Sequence, residues 1–444
     1  IDLIYFEFNL LSFLIPGAIS ILLGVACIKY FERFPTKRMR LKHGMIISSI
    51  AWLWAGLIGG MAFTLVTHIP IIDAVFESVS ALTGTGVTIF TNVESLPNSL
   101  LFFRSLEQWV GGIGVVFMVI GVLTKGTVSA TLYQSEARDE RLKPSIKTTL
   151  EKTLKIYVIY TIAGIILYML AGMPAFDSVC NTFTIISTGG MSIKNANIGY
   201  YNDYVIYFIT IILMILGATS FFVHYKVIKT KGKSLLEDLQ FKVIISVIAF
   251  VTLLLYFVSN IVPIELLFTV VSAITTTGAS ITPAAAMAKW PSFVIICIMC
   301  LMLTGGSNGS TVGAIKLVRM ITFFKGIYRH IREILSPEGR VVPVKLHGRR
   351  ISEKSIGQAG NFITLYLMFI MFTWALFCLC GYDPFNSLFT AMSLQGNNGL
   401  DLGIISSQMN PILKLVSMLN MWTGRLEIYP VLITLRAGFE IFKR

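Results

Sequence analysis

The stretch Asp73-Ala-Val-Phe-Glu-Ser-Val-Ser-Ala-Leu-Thr-Gly-Thr-Gly-Val87 decides how this chain is read. It opens on an acid, continues as a short apolar helix and closes on a turn of glycine and threonine. The same order recurs in Asp177-Ser-Val-Cys-Asn-Thr-Phe-Thr-Ile-Ile-Ser-Thr-Gly-Gly-Met191 and in Glu265-Leu-Leu-Phe-Thr-Val-Val-Ser-Ala-Ile-Thr-Thr-Thr-Gly-Ala279. It recurs again in Asp383-Pro-Phe-Asn-Ser-Leu-Phe-Thr-Ala-Met-Ser-Leu-Gln-Gly-Asn-Asn-Gly399. Each copy lies between two long apolar stretches. A short helix that enters an apolar layer and turns back on glycine is a pore loop, and four of them in one chain can surround an axis without four subunits. Internal repetition of this kind sets the architecture before any single residue is read.

Composition places the repeats in a membrane. Hydrophobic residues make up 55% of the chain and charged residues 13%, against about 25% charged in soluble domains. Windows without an ionisable side chain run over Phe8–Ile28, Gly44–Thr67, Ile156–Phe176, Tyr204–Val223, Val243–Ile264, Trp290–Ile315 and Ser355–Tyr382. About 20 apolar residues cross the hydrocarbon core. With two less clean segments, around Trp109–Thr124 and after Pro411, the expectation is nine spanning helices and four re-entrant loops. The first repeat takes Gly44–Thr67, 73–87 and Ser99–Tyr133; the second 154–172, 177–191 and 203–230. The third takes 241–262, 265–279 and 291–330; the fourth 358–381, 383–400 and 411–443. The expected division is 1–35 as a peripheral N-terminal helix, then 36–135, 136–233, 234–352 and 353–444. The fold class is therefore all-α and polytopic, with four pseudo-symmetric helix–pore-loop–helix repeats around a central pore. The chain begins at Ile1 and not at Met, which leaves room for a preceding segment.

The net charge of +13 is distributed loop by loop. Lys and Arg cluster in Lys29–Arg40, Lys125–Lys155, Lys226–Lys242, Lys316–Lys354 and Arg436–Arg444, while the alternate loops are nearly free of them. Basic loops stay on the cytoplasmic side. The expected topology in the cell membrane puts the pore loops outside and the C-terminus inside. Nucleic acid explains an alternating pattern less well than topology does, so no nucleic-acid partner is expected; anionic membrane lipid is. All six cysteines, Cys297-x-x-Cys300 included, sit in apolar segments and read as small buried hydrophobes. The histidines are scattered and no carboxylate pair occupies a polar pocket, so no enzyme signature is present.

Backbone in the turns cannot face lipid and must line water or pack on protein. A ring of inward backbone carbonyls replaces the hydration shell of an alkali cation, and the negative ends of four short helices favour that cation at the centre. The acids Asp73, Asp177, Glu265 and Asp383 read first as helix N-caps and second as a vestibule that attracts cations. Ser80, Thr184, Ser272 and Ser393 each lie six residues before Gly86, Gly190, Gly278 and Gly399. In the fourth repeat, counting from the acid gives Gly396 instead, and both counts stand at this level.

Several motifs resemble those of the Trk/Ktr/HKT superfamily of potassium transporters, specifically its prokaryotic TrkH-like branch. They are Ser80-Ala-Leu-Thr-Gly-Thr-Gly86, Arg104-x-x-x-Gln-Trp-x-Gly-Gly-x-Gly114, Thr188-Gly-Gly-Met191 and Ser272-Ala-Ile-Thr-Thr-Thr-Gly278. Gly305-Gly-Ser-Asn-Gly-Ser-Thr-Val-Gly-Ala-Ile-Lys-Leu-Val-Arg319 and Gly424-Arg-Leu-Glu-Ile428 complete the set. The resemblance covers nearly the whole chain. It implies potassium uptake, with potassium bound at a filter of Thr83, Gly84, Thr85, Gly86, Thr188, Gly189, Gly190, Thr276, Thr277, Gly278, Asn397, Asn398 and Gly399. It also implies a homodimer with a pore in each protomer and a cytosolic nucleotide-binding regulatory subunit. Sodium-preferring relatives carry Ser at the first filter glycine; Gly86 favours potassium. The chain departs from the pattern at Leu400, where Pro is expected, and at Met191, where Phe is expected.

The strip holding Gly305, Gly306, Ser307, Gly309 and Gly313 interrupts an apolar helix. It is no phosphate loop, because Gly-Lys-Ser/Thr does not follow at the required spacing. It reads as a packing kink or, by resemblance, as a gating loop under the filter. Arg425, inside an apolar helix, is costly there; it either pairs with Glu427 or carbonyls, or faces the pore. Arg104, Glu107 and Gln108 read equally as an interfacial anchor or as braces of the filter. The alternative to a channel is a cation-coupled secondary transporter, which calls for inverted repeats and ionisable residues at mid-membrane.

Overall fold

The computed structural model describes residues 1–34, 40–114, 146–230, 233–337, 342–346 and 349–442. Apart from a hairpin of Lys345–Leu346 with Arg349–Arg350, its regular elements are helices. Helix α1 (Leu10–Phe31) is apolar and almost wholly exposed; Trp54 Nε1 donates to Ser20 Oγ at 2.9 Å and Phe13 packs on Phe103. Then one order recurs: α2 (Leu41–Thr67), α3 (Ile71–Thr83) and α4 (Asn98–Ile113); α5 (Ile146–Leu170), α6 (Ala175–Ile186), α7 (Tyr204–Ala218) and α8 (Phe221–Thr230). It continues as α9 (Leu239–Val258), α10 (Pro263–Ile274), α11 (Ser292–Thr304) and α12 (Leu317–Ile334). The last set is α13 (Glu353–Leu379), α14 (Pro384–Gly396), α15 (Pro411–Arg425) and α16 (Tyr429–Phe442).

Five described helices are long and apolar enough to cross a membrane unbroken: α1, α2, α5, α9 and α13. Among the nine expected spans, the second helices of the later repeats are broken. Helices α7 and α8 meet at 106°. Helix α11 stops at Thr304 and α12 begins at Leu317; α15 stops at Arg425 and α16 begins at Tyr429. The break after Thr304 was legible from its glycines. The break at Thr219-Ser220, where Thr219 turns extended, and the one at Glu427 and Ile428, both left-handed, were not. The first repeat's second helix beyond Gly114, expected to run to Tyr133, lies outside the described residues, as does most of the basic stretch Lys125–Lys155.

The short helices α3, α6, α10 and α14 form the centre, with Phe76, Cys180, Phe268 and Phe389 fully buried. In lipid such packing rests on close van der Waals fit and small residues. On α2, a β-carbon at Gly60 would press on the backbone of Val75. Proline stands at the start of all four of these helices: Pro70 and Pro174 precede α3 and α6, Pro263 opens α10 and Pro384 opens α14. In the first three the acid follows the proline and falls inside the first turn, so the expected N-cap role holds for Asp383 alone, which precedes Pro384 and accepts from Asn386 N at 2.9 Å. Asp177 accepts from the Tyr201 hydroxyl at 2.8 Å, Glu265 from the Thr282 hydroxyl at 3.1 Å, and Asp73 pairs with Lys414.

The Asp73–Lys414 pair is buried and ties α15 back to α3, joining the last repeat to the first. Lys414 also donates to Ser407 O at 2.6 Å. Removing one member of a buried pair leaves an uncompensated charge and costs about 3–5 kcal/mol. Lys414→Met should therefore lower the melting temperature of the purified protein by several degrees. Adding Asp73→Asn should restore most of it; a double variant as unstable as the single one contradicts the pairing.

Candidate ion pathway

The four turns share one hydrogen-bond scheme. The N–H of Thr85 donates to Ser80 O at 3.0 Å, Gly189 to Thr184 O at 2.8 Å, Thr277 to Ser272 O at 3.0 Å and Asn398 to Ser393 O at 2.9 Å. These acceptors are the residues six positions before the ring glycines, so the sequence spacing has a backbone cause. Two left-handed positions follow in every turn. The first is Gly84, Thr188, Thr276 or Asn397, with φ of 68°, 55°, 50° and 49°; the second is Gly86, Gly190, Gly278 or Gly399, with φ of 88°, 67°, 74° and 93°. Only glycine occupies the second set, where a side chain is strained.

Space is the second reason for glycine there. A β-carbon on Gly86 would collide with the Gly189 carbonyl oxygen, one on Gly190 with that of Thr277, one on Gly278 with that of Asn398, and one on Gly399 with that of Thr85. Each turn thus abuts the next, and the fourth abuts the first. The structure brings Gly86, Gly190, Gly278 and Gly399 into one closed ring. Of the two counts for the fourth repeat, Gly399 takes the ring position; Gly396 ends α14 and accepts from Ala314 N at 3.1 Å.

The remaining proposed filter residues surround the ring. Thr83 Oγ1 and Thr85 Oγ1 lie 2.8 Å apart, as do Thr275 Oγ1 and Thr277 Oγ1. Asn397 Nδ2 donates to Thr85 Oγ1 at 2.9 Å and to Met421 O at 2.8 Å, and Asn398 Nδ2 to Ala273 O at 2.9 Å. The asparagines thereby stitch the fourth turn to the first and third.

Arg104, Glu107 and Gln108 are buried, which excludes the interfacial anchor. Gln108 Nε2 donates to Gly189 O at 2.8 Å, and its Oε1 accepts from Met191 N at 3.1 Å. Arg104 Nε binds Glu77 at 2.7 Å and its Nη1 donates to Ser192 O at 2.7 Å. Glu77 in turn accepts from Thr88 Oγ1 and Ile89 N. Helix α4 therefore braces the turn of its own repeat and that of the next. Asn197, missed in the sequence, adds a bond from Nδ2 to Gly190 O at 3.1 Å; no motif marks it.

Beneath the ring lies the strip between α11 and α12, which touches three of the turns. Thr311 Oγ1 is 3.0 Å from Thr188 Oγ1, Gly313 N donates to Thr276 Oγ1 at 3.1 Å, and Ala314 N reaches Gly396 O. Gly305 and Gly309 adopt left-handed φ of 67° and 74°. Ser307 N donates to Ala218 O at 3.0 Å, Thr311 N to Gly217 O at 3.3 Å and Leu317 N to Gly306 O at 3.1 Å, while Phe221 N donates to Gly309 O at 3.1 Å. The strip thus takes up backbone groups released where α7 breaks into α8.

Arg425 donates to Thr311 O at 2.6 Å, to Gly112 O at 2.9 Å and also to Gly111 O. It lines a cavity of about 30 Å³ with Gly309, Ser310, Lys316 and Gly114. Glu427 is held by Lys316 at 2.7 Å and by Arg319, so the carboxylate that the sequence reading offered to Arg425 is engaged by these two cations. Among the described residues no group of His, Cys, Asp and Glu is placed to hold a metal ion. The cysteines are free; Cys180 is buried, but Cys27, Cys300 and Cys380 face outward, which corrects the reading of all six as buried.

A closed ring of re-entrant turns inside a bundle of apolar helices defines a multi-pass membrane protein built around one axis. The chain belongs to the TrkH family, cation transport protein, which matches residues 12–262 and 260–440. An uncharacterized cation transporter of Methanocaldococcus jannaschii is 37% identical over 98% of this chain and 90% of its own length. The Trk system potassium uptake protein TrkG of Escherichia coli K12 is 31% identical over 99% of this chain and 93% of its own. The crystal structure of the potassium transporter TrkH from Vibrio parahaemolyticus superposes with a TM-score of 0.81 at 26% identity, over 98% of this chain and 97% of that one.

Gln108→Ala should release both ends of its clamp. A hydrogen bond is worth about 1 kcal/mol net, roughly fivefold in local opening. Hydrogen–deuterium exchange at Met191 should quicken by about that factor, while exchange in α9 stays as it was. Unchanged exchange at Met191 contradicts the clamp.

Proposed function

We propose that the chain takes up potassium through a channel-like pore whose selectivity filter is the carbonyl ring at Thr85, Gly189, Thr277 and Asn398, with Gly86, Gly190, Gly278 and Gly399 allowing it to close. The observation that carries this reading is the cyclic abutment of the four turns, each glycine against the next turn's carbonyl. Inward carbonyls substitute for the water shell of an alkali cation, and the negative ends of α3, α6, α10 and α14 converge on the same place. Relatives named as potassium uptake proteins support potassium as the ion. The four repeats, 36–135, 136–233, 234–352 and 353–444, each supply a quarter of the pore.

The face from which the short helices dip is the outer face of the cell membrane, and the strip and the C-terminus lie toward the cytoplasm. The strip Gly305–Gly313 is the gate and Arg425 its bolt. A polar segment hydrogen-bonded to three turns obstructs the axis, and one guanidinium fastens it to the end of α4. The protein acts as a homodimer, with a cytosolic nucleotide-binding regulatory subunit on the basic face.

In proteoliposomes, potassium flux should exceed sodium flux, and Gly86→Ser should reduce that preference by displacing a carbonyl. An unchanged ratio in folded Gly86→Ser protein contradicts the filter assignment. A cation about 8 Å from the Arg425 charge meets a barrier of roughly 2 kcal/mol at an effective dielectric near 20. Arg425→Ala should therefore raise potassium flux tenfold or more. Flux no faster than wild type, in protein that folds, makes Arg425 a bundle residue only.

A further inference from the structure

A cavity of about 220 Å³ opens on the entry face, with Gly86, Gly278 and Gly399 of the ring in its wall. Asp401 is the one ionisable side chain among its lining residues. Three neutral donors hold the carboxylate. Gly403 N and Ile405 N reach Oδ2 at 2.9 and 3.4 Å, and the Thr390 hydroxyl reaches Oδ1 at 3.3 Å. No described Lys or Arg pairs with it, whereas Asp73, Glu77 and Asp177 on this face pair with Lys414, Arg104 and Lys194. Glu265, behind Thr282 in the same wall, adds charge of the same sign.

A fixed, unneutralised carboxylate in a concave mouth focuses its field there and raises the local concentration of counter-ions. We propose that Asp401 forms an outer site for a hydrated monovalent cation, which loads potassium onto the ring below. This inference rests on the pore reading and deepens it. The site differs from the carbonyl ring: the ion keeps its water, the contact is a full negative charge, and salt screens it. Asp401 thus sets how well the protein works at low external potassium, and the ring sets which ion passes.

The test is initial uptake of rubidium-86 by cells that lack other potassium uptake systems and express this chain. External potassium is varied at constant osmolarity, with and without 0.15 M choline chloride. The half-saturating concentration is the readout because it does not depend on the amount of protein. At low ionic strength Asp401→Asn, which keeps the shape, should raise it about threefold with the maximal rate unchanged. Added salt should shrink that difference toward none, since the Debye length falls to about 8 Å. Asp401→Glu keeps the charge while disturbing the turn, and should stay near wild type. An unshifted Asp401→Asn overturns the proposal. So does a shift that salt leaves intact and Asp401→Glu shares, which assigns Asp401 to turn geometry alone. If the ring were not the ion path, Gly86→Ser would also leave ion preference unchanged, so failure of the underlying reading is separately visible.

Discussion

The rest of the structure follows from one close approach: four backbone turns meet so tightly that no β-carbon fits between neighbours. Glycine is required at the four contact points both by collision and by left-handed φ. For the turns to meet, each short helix must end at the right depth. The bond from the residue before each ring glycine back to the residue five before it fixes that depth in every repeat. Prolines and an ion pair at the other ends of these helices fix where they begin.

Unpaired backbone inside a membrane is expensive, and this fold concentrates such backbone around its axis. The broken helices would leave N–H and C=O groups unmet, and the strip after Thr304 meets many of them. It bonds to the released end of α7, to three filter turns and to Arg425. Glu427 at the break between α15 and α16 is held by Lys316 and Arg319 at the start of α12. One element thus links the breaks of the second, third and fourth repeats. A segment with so many partners is positioned by the ring above it, and any movement of the proposed gate has to exchange these bonds together.

The overall architecture was legible because apolar windows, acids and Gly/Thr turns recur in the same order, and spacing placed three of the ring glycines while leaving the fourth between Gly396 and Gly399. Less visible were features that depend on three-dimensional neighbours. The acids resembled caps, yet only Asp383 serves as one, because it alone precedes the proline at its helix start while the other three acids follow theirs. Thr219-Ser220 carries no strong breaking signal; that helix bends because the strip supplies partners for its freed groups. Gln108 was ambiguous between anchor and brace until its burial and its two bonds to the second turn were seen. Asn197, at the start of a short 3-10 turn, and Asp401, in a loop, lie where sequence periodicity says nothing. The charges Lys316, Arg319 and Glu427 did carry a signal, being rare in apolar surroundings, but their pairing across more than a hundred positions is a tertiary fact.

The central claim is that the carbonyls of Thr85, Gly189, Thr277 and Asn398 coordinate a dehydrated alkali cation. Anomalous diffraction from crystals grown in rubidium or thallium salts tests it most directly. The account predicts a peak on the axis at the level of those oxygens, lost when the salt is replaced by lithium. An empty ring at saturating thallium, with anomalous density elsewhere in the protein, would contradict it.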